Sequence, residues 1–249
     1  MPRFRLDIEY DGTAFAGFQA QAGLRTVQGA VEQAIKSLTA EDTFVYACGR
    51  TDTGVHAIAM PAHVDIKRRI PPENIRRALN TFLAAQKDRV SILRVRRARP
   101  DWHARFDCRQ RTYVYRILNR ASPPALEHDR AHHVHVPLDA RAMRDAARIL
   151  LGTHDFSSFR AAGCYAESPV KTLDSIAVRK RSGNIVEIEI SAKAFLYHQV
   201  RNIVGALIEV GAGRWNAAKL AHILNTKSRA ENPAPSAPAR GLFFKSAKY

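Results

Sequence analysis

The order of the periodic segments most strongly limits the folds open to this chain. Residues 4–10 alternate apolar and polar side chains, which predicts a strand with one buried face. Thr26 precedes an apolar stripe at helical spacing, so we expect it to cap a helix. The remaining predicted elements are a buried strand over 44–48, a helix after Pro71, a strand over 112–118, a helix capped by Asp139, a hairpin over 176–192, a helix over 198–210 and a strand over 242–244.

This order of strands and helices predicts the α+β class. We expect two related, ferredoxin-like halves, residues 1–105 and 106–249, because a similar succession of elements occurs in each. The halves should form a mixed, mostly antiparallel sheet with helices on one face and a basic cleft on the other. No residue-level repeat supports this division, which depends on element order alone.

The charge of the chain indicates an acidic partner. Its 249 residues include 39 lysines and arginines against 23 aspartates and glutamates, a net charge of +16. These cations are spread along the sequence, so we expect them on folded surfaces and not in a basic tail. Such a distribution favours binding of a structured nucleic acid. The alternative is a generally basic protein without a nucleic-acid site.

The composition also indicates a compartment. No apolar run approaches the length needed to span a bilayer, and the first residues lack the apolar segment of a signal peptide. Three widely spaced cysteines (Cys48, Cys108 and Cys164) predict reduced thiols, with neither a disulfide framework nor a cysteine zinc site. We therefore expect a cytoplasmic protein.

One acidic side chain stands out within the segment Gly-Arg-Thr-Asp-Thr-Gly-Val-His-Ala at residues 49–57. Asp52 lies there among glycines and small residues, close to a cation, at the end of a predicted strand. A turn aspartate is the simpler interpretation. Asp-Thr-Gly also matches the aspartic proteases, but those enzymes need a second such carboxylate and the chain has none.

Further segments narrow the interpretation of Asp52. They are Tyr10-Asp11-Gly12 with Gly17-Phe18-Gln19 and Thr26-Val27-Gln28, His103-Ala104-Arg105-Phe106, and residues 111–115, 154–160, 200–205 and 237–242. Together with residues 49–57 they resemble, in the same order, the TruA family of tRNA pseudouridine synthases. The chain departs from that pattern at Phe18, where Trp is commoner, at Met60, where Gln is usual, and at Ala84, where Pro is usual.

The resemblance implies a cofactor-free isomerase. It would convert uridine to pseudouridine at positions 38, 39 and 40 of the anticodon stem-loop of tRNA, as a homodimer without a metal or a membrane. The predicted basic cleft would then bind RNA. A non-catalytic tRNA-binding protein or chaperone on the same fold is the alternative.

The resemblance also implies roles for individual residues. Asp52 would be the catalytic nucleophile, and Arg50 would pair with it or fill the gap left by a flipped nucleotide. Tyr113 would stack on the flipped uracil, although a core tyrosine is the alternative from the pattern alone. Arg201 would reach the cleft to pair with Asp52, the alternative being a solvated arginine. His56 and His103 are expected to contact the RNA loop, and Tyr115 is expected in the core.

The histidine-rich segment at residues 128–135 resembles a metal site only superficially. Its four histidines lack the spacing of a known zinc motif, apart from the helical spacing of His128 and His132. We therefore expect a solvated or partly buried segment and no bound metal.

Overall fold

The computed structural model describes residues 1–249. In chain order its elements are β1 (Arg3–Tyr10), α1 (Val27–Thr39), β2 (Tyr46–Ala47), β3 (His56–Asp65), α2 (Pro72–Ala85), β4 (Val90–Ala98), β5 (Gln110–Asn119), β6 (His132–Val134), α3 (Ala140–Ala147), β7 (Gly152–Asp155), β8 (Val170–Arg181), β9 (Ile185–Ala192), α4 (Gln199–Gly211), α5 (Ala217–Thr226) and β10 (Leu242–Lys248). None of the five helices has both the length and the apolar character needed to cross a membrane.

The chain divides into two compact units. The first comprises residues 1–109 and 243–249, and the second comprises residues 110–242. Phe243 and Phe244 of β10 pair in parallel with His56 and Ala57 of β3, so the last strand lies with the first unit. The division expected from the sequence had placed all of residues 106–249 in the second half.

The sheet of the first unit is mixed and mostly antiparallel. Strand β1 lies between β3 and β4 and is antiparallel to both, and β2 is antiparallel to β3. The alternation in β1 buries Phe4, Leu6 and Ile8 on one face, while Arg3 and Arg5 lie on the other. Helix α2 packs against β4 and against α1. The charged face of β1, which also carries Asp7 and Glu9, is thus the one opposite the apolar core.

The second unit has the same kind of sheet. Strands β5, β9, β8 and β7 pair antiparallel in that order, and β6 adds in parallel to β5. Helix α3 packs against β8 and α4. Tyr115 of β5 is fully buried, its hydroxyl donates to the Pro238 carbonyl at 2.7 Å, and burial raises its pKa. The core position predicted for Tyr115 is confirmed.

The α+β class and the mostly antiparallel pairing are therefore confirmed, but several elements differ from the sequence prediction. Strands β3, β4, β6 and β7 and helix α5 were not predicted. The segment 44–48 is not a buried strand, because only Tyr46 and Ala47 pair and the side chains of Phe44 and Tyr46 are exposed. Alternation had been obscured there by an unbroken apolar run.

Candidate active site

Asp52 lies on the loop between β2 and β3, in the first unit. The backbone turns at this point, since the Val55 N–H donates to the Asp52 carbonyl at 3.1 Å and Gly54 has a φ of 76°. The neighbouring Thr51 and Val55 are buried, whereas Asp52 is half-buried. The hydroxyls of Thr51 and Tyr10 are 2.7 Å apart and hydrogen-bonded. The carboxylate therefore stands on a loop that is anchored on both sides.

The segment that follows β1 packs against this loop. The Phe18 N–H donates to the Thr51 carbonyl at 3.0 Å, and the Phe18 ring is buried with its centroid 6.1 Å from that of Tyr10. Gly17 has a φ of 93°, and a Cβ at this position would lie 2.7 Å from the Thr51 carbonyl oxygen. Only glycine meets both requirements without displacing the residue that precedes Asp52.

His56 and Asp11 fix the other end of the loop. The Gly12 N–H donates to His56 Nδ1 at 3.1 Å, and the His56 ring stacks on Phe243 with centroids 4.6 Å apart. Asp11 lies 3.2 Å from His56 Nδ1 and 3.1 Å from the Arg89 guanidinium. Burial opposes ionisation of Asp11, but the hydrogen bonds from Thr13 and Arg89 outweigh it and lower the pKa to about 2.

This placement does not fit the RNA contact expected for His56. The residue is only 1 % exposed and its Nδ1 is used by the backbone of the same unit. Its contacts indicate that it holds the Asp52 loop against β1 and β10.

The side chains of Arg50 and His103 differ in solvent exposure. The Arg50 side chain is exposed, two residues before Asp52. His103 is half-buried, and its Nδ1 accepts the N–H groups of Arg105 at 3.1 Å and Phe106 at 3.3 Å. Its own backbone N–H donates to Asp107 at 2.9 Å. One edge of the His103 ring is therefore occupied by its own loop.

A second buried histidine lies beneath His103 and gives the first unit a pH dependence. His63 is 2 % exposed and its Nδ1 accepts the Ala104 N–H at 3.2 Å. Burial, followed by the charge of Arg3 and by His103, lowers the pKa of His63 to about 4. In the unfolded chain a histidine pKa is about 6.5, so on acidification the unfolded state binds the proton first.

We expect the stability contributed by neutral His63 to be complete above about pH 6.5 and to be lost as the pH falls toward 4. The loss in the free energy of unfolding should reach up to about 3 kcal/mol. Urea unfolding at a series of pH values measures it. His63→Asn keeps an acceptor for the Ala104 N–H and cannot titrate, so the difference between the two proteins isolates this group. Parallel pH curves for both would contradict the assignment.

Tyr113 and Arg201 belong to the second unit. Tyr113 of β5 is 9 % exposed and meets Phe195 edge-on, with centroids 5.3 Å apart. Arg201 of α4 is half-buried, donates through Nε to the Ala237 carbonyl at 2.7 Å, and has Nη1 3.0 Å from His198 Nε2. Arg201 is thus held in place, unlike the solvated arginine that the sequence left as an alternative.

His198 was missed by the sequence interpretation. It occupies the N-cap position of α4 with a left-handed φ of 58°, and its ring centroid lies 4.0 Å from that of Tyr197. The spacing of three residues between His198 and Arg201, one helical turn, was the signal that could have identified it.

The remaining histidines do not form a metal site. No group of three or more His, Cys, Asp or Glu side chains is arranged to hold a metal ion. His132 lies on β6, where burial, followed by the charges of Arg240 and His133, lowers its pKa to about 4. The segment is partly buried, as one of the sequence alternatives proposed.

Over its whole length, the chain resembles known proteins. Residues 8–107 and 146–249 match a family model described as tRNA pseudouridine synthase. The chain is 49 % identical to tRNA pseudouridine synthase A of Rhodospirillum centenum, and the alignment covers 100 % of both chains. It is 47 % identical to tRNA pseudouridine synthase A of Caulobacter vibrioides, over 98 % of this chain and 97 % of that protein.

Among solved structures, the chain matches the archaeal box H/ACA sRNP Nop10-Cbf5 complex with a TM-score of 0.34 and 10 % identity. That match covers 82 % of this chain and 44 % of the other. It is too weak to add to the sequence relationship.

Proposed function

The chain belongs to the tRNA pseudouridine synthase family, and we propose that it isomerises uridines in the anticodon stem-loop of tRNA with Asp52 as nucleophile. The observation that carries this proposal is the anchored loop. Thr51 and Val55 are buried on either side of Asp52, so its carboxylate is held on a rigid support. A freely moving turn aspartate would lack this pre-organisation.

The reaction needs a carboxylate but no redox partner. The bond between C1′ of the ribose and N1 of uracil breaks, the base turns, and C1′ joins C5. C5 loses a proton and N1 gains one, so the product is an isomer of the substrate. An ionised Asp52 can attack C1′ and leave again when C5 takes its place. In the alternative pathway, the same carboxylate begins elimination to a glycal, and Asp52 acts at the sugar in both.

We assign the other residues to substrate binding. Tyr113 stacks on the extruded uracil, and the exposed Arg50 contacts the RNA beside the flipped nucleotide. Arg201, held by Ala237 and His198, presents a fixed guanidinium to the substrate. His56 acts indirectly by holding the Asp52 loop, and His103 contributes its half-buried ring to the RNA-binding surface.

A homodimer with one tRNA across both subunits completes the proposal. A folded tRNA is larger than one subunit of 249 residues, so a second copy extends the track of positive charge. Sedimentation of the protein with and without tRNA measures the stoichiometry.

The net charge of +16 leads to a prediction about salt. Each phosphate contact releases counterions, and about four contacts would already lower the affinity for tRNA about 100-fold between 50 and 200 mM salt. Filter binding with unmodified tRNA over this range measures the slope. A flat response would mean that phosphates do not dominate the complex.

Mapping of pseudouridine tests the proposed target. Unmodified tRNA transcripts are incubated with the protein, and the modified positions are then read chemically. Product confined to the anticodon stem-loop supports the proposal. Product elsewhere in the tRNA would contradict the proposed target but would still show that the protein forms pseudouridine. Tight binding without any product would favour the non-catalytic chaperone.

A further inference from the structure

Four aromatic side chains lie in contact on the surface of the first unit, two from the segment just before the Asp52 loop and two from residues 102–107. We call Phe44, Tyr46, His103 and Phe106 the aromatic surface. Phe44, Tyr46 and Phe106 are 52 %, 45 % and 74 % exposed. Ring centroids are 4.4 Å apart between Phe44 and Tyr46, 5.5 Å between Tyr46 and His103, and 4.2 Å between His103 and Phe106. A contiguous patch of exposed rings, unlike a single exposed ring, is typical of a binding surface.

Strand register places cations beside this surface. Arg96 of β4 is in register with Arg5 of β1, Arg5 with His63 of β3, and His63 with Tyr46 of β2. Residues in register point to the same face of a sheet, so these four side chains form one row across the face opposite the core. The row spans about 14 Å, three strand spacings. It runs from arginine at one end to the aromatic surface at the other.

The cationic end of the row remains accessible to solvent. The Arg96 side chain is 53 % exposed even though its guanidinium lies 3.1 Å from Asp7. A second cation lies at the far edge of the aromatic surface, where the guanidinium of Arg105 is 5.9 Å from the Phe106 ring centroid. One cation, Arg105, therefore adjoins the aromatic surface, and a second, Arg96, lies at the other end of the row, about 14 Å from Tyr46.

The aromatic surface is held rigidly from beneath. The Tyr46 ring stacks on His63 with centroids 4.9 Å apart and an angle of 11°. His103 accepts the N–H groups of Arg105 and Phe106, and Tyr249 donates its hydroxyl to the Ala104 carbonyl at 2.8 Å. Because these rings are already held in place, the protein would lose little side-chain entropy when a ligand docks on them.

We propose that the aromatic surface binds unpaired nucleotides of RNA, outside the reacting uridine. Bases stack on Phe106 and Tyr46, and Arg105 and Arg96 contact phosphates. The inference rests on the proposed function only in taking tRNA as the natural source of these nucleotides. RNA is favoured over a protein partner because the chain carries a net charge of +16 and an arginine lies at the edge of the rings, which suits a polyanion with bases to stack. A nucleotide can stack its base on an aromatic ring while its phosphate contacts an arginine beside that ring.

The decisive experiment compares a single strand with a duplex. Oligoadenylate offers free base faces, whereas an RNA duplex of equal length offers only phosphates and sugars. We expect Phe106→Ala and Phe106→Leu to weaken oligoadenylate binding about tenfold. Phe106→Trp should retain the affinity, because it keeps a ring. All three should bind the duplex as the wild type does. Phe106 is 74 % exposed, so the variants should fold.

Leu126→Ala supplies a matched control, since Leu126 is 95 % exposed and belongs to the other unit. It should change neither affinity. Equal oligoadenylate affinity for all proteins, or no oligoadenylate binding by the wild type, would overturn the inference. So would a Phe106→Ala protein that sediments as a smaller species, because the surface would then join two copies of the chain.

The same proteins separate this inference from the proposed function. A wild type that binds oligoadenylate with the expected ring dependence but forms no pseudouridine in tRNA would contradict the proposed function alone. A wild type that forms pseudouridine while its oligoadenylate affinity is independent of Phe106 would contradict this inference alone.

Discussion

Asp52→Asn should abolish pseudouridine formation while the protein continues to bind tRNA. The amide has the size of the carboxylate but is a far weaker nucleophile, so we expect a fall in the single-turnover rate of about 10⁴-fold or more. Thr51 and Val55 anchor the loop through groups that this change does not touch. Affinity for unmodified tRNA should stay within about threefold, because the variant only loses one negative charge near a polyanion.

Two measurements decide this prediction. Rapid-quench assays with saturating enzyme give the rate, and filter binding gives the affinity for the same transcript. Thr53→Asn is the matched control, because Thr53 is exposed on the same turn and the substitution introduces the same amide. A variant that retained more than about a tenth of the wild-type rate would exclude Asp52 as the nucleophile. Cleavage of unfolded protein by the wild type that disappears in Asp52→Asn would restore the protease interpretation.

Gly17→Ala should cost both activity and stability, although residue 17 lies far from Asp52 in sequence. A methyl group at this position would lie 2.7 Å from the Thr51 carbonyl oxygen, which is backbone and cannot turn aside. The loop must shift by several tenths of an ångström at the residue before Asp52. We expect a loss of about 100-fold in the single-turnover rate and of about 2–3 kcal/mol in the free energy of unfolding.

Gly23→Ala separates the two causes of this effect, the strain of a left-handed backbone and the clash with the Thr51 carbonyl. Gly23 has a φ of 73°, comparable to the 93° of Gly17, but a Cβ there would meet nothing within 4 Å. Its substitution therefore carries only the backbone strain of a left-handed alanine, about 1 kcal/mol. Activity per folded molecule should remain that of the wild type. If Gly17→Ala behaved like Gly23→Ala in both measurements, the packing of residue 17 against the loop would not control Asp52.

Local signals in the sequence predicted the helix starts well. Thr26 accepts the Gly29 N–H at 3.2 Å and Asp139 accepts the Arg141 N–H at 2.8 Å, as their positions before apolar stripes indicated. Strand β4 was not predicted because its pairing with β1 shifts register between Asp7 and Ile8, which breaks the alternation of buried residues. Strand β3 was missed because it contains Pro61 and an almost unbroken run of buried residues.

The sequence by itself determined which chemistry the chain can perform. The nine residues 49–57 and the family resemblance pointed to Asp52 as the candidate catalytic residue. Such features are local, because a glycine, a capping residue or a turn restricts the backbone through its own sterics and hydrogen bonds. Their meaning does not depend on what the chain does elsewhere.

Only the tertiary structure decided which distant residues meet. It brought Phe243 onto His56, placed Arg5 and Arg96 in one row with Tyr46, and buried His56, which the sequence had suggested as an RNA contact. These contacts join residues tens to hundreds of positions apart, so no local pattern encodes them. They follow from the strand pairing that buries the apolar face of the whole sheet. The free energy gained by that burial depends on all the strands together and not on any one of them.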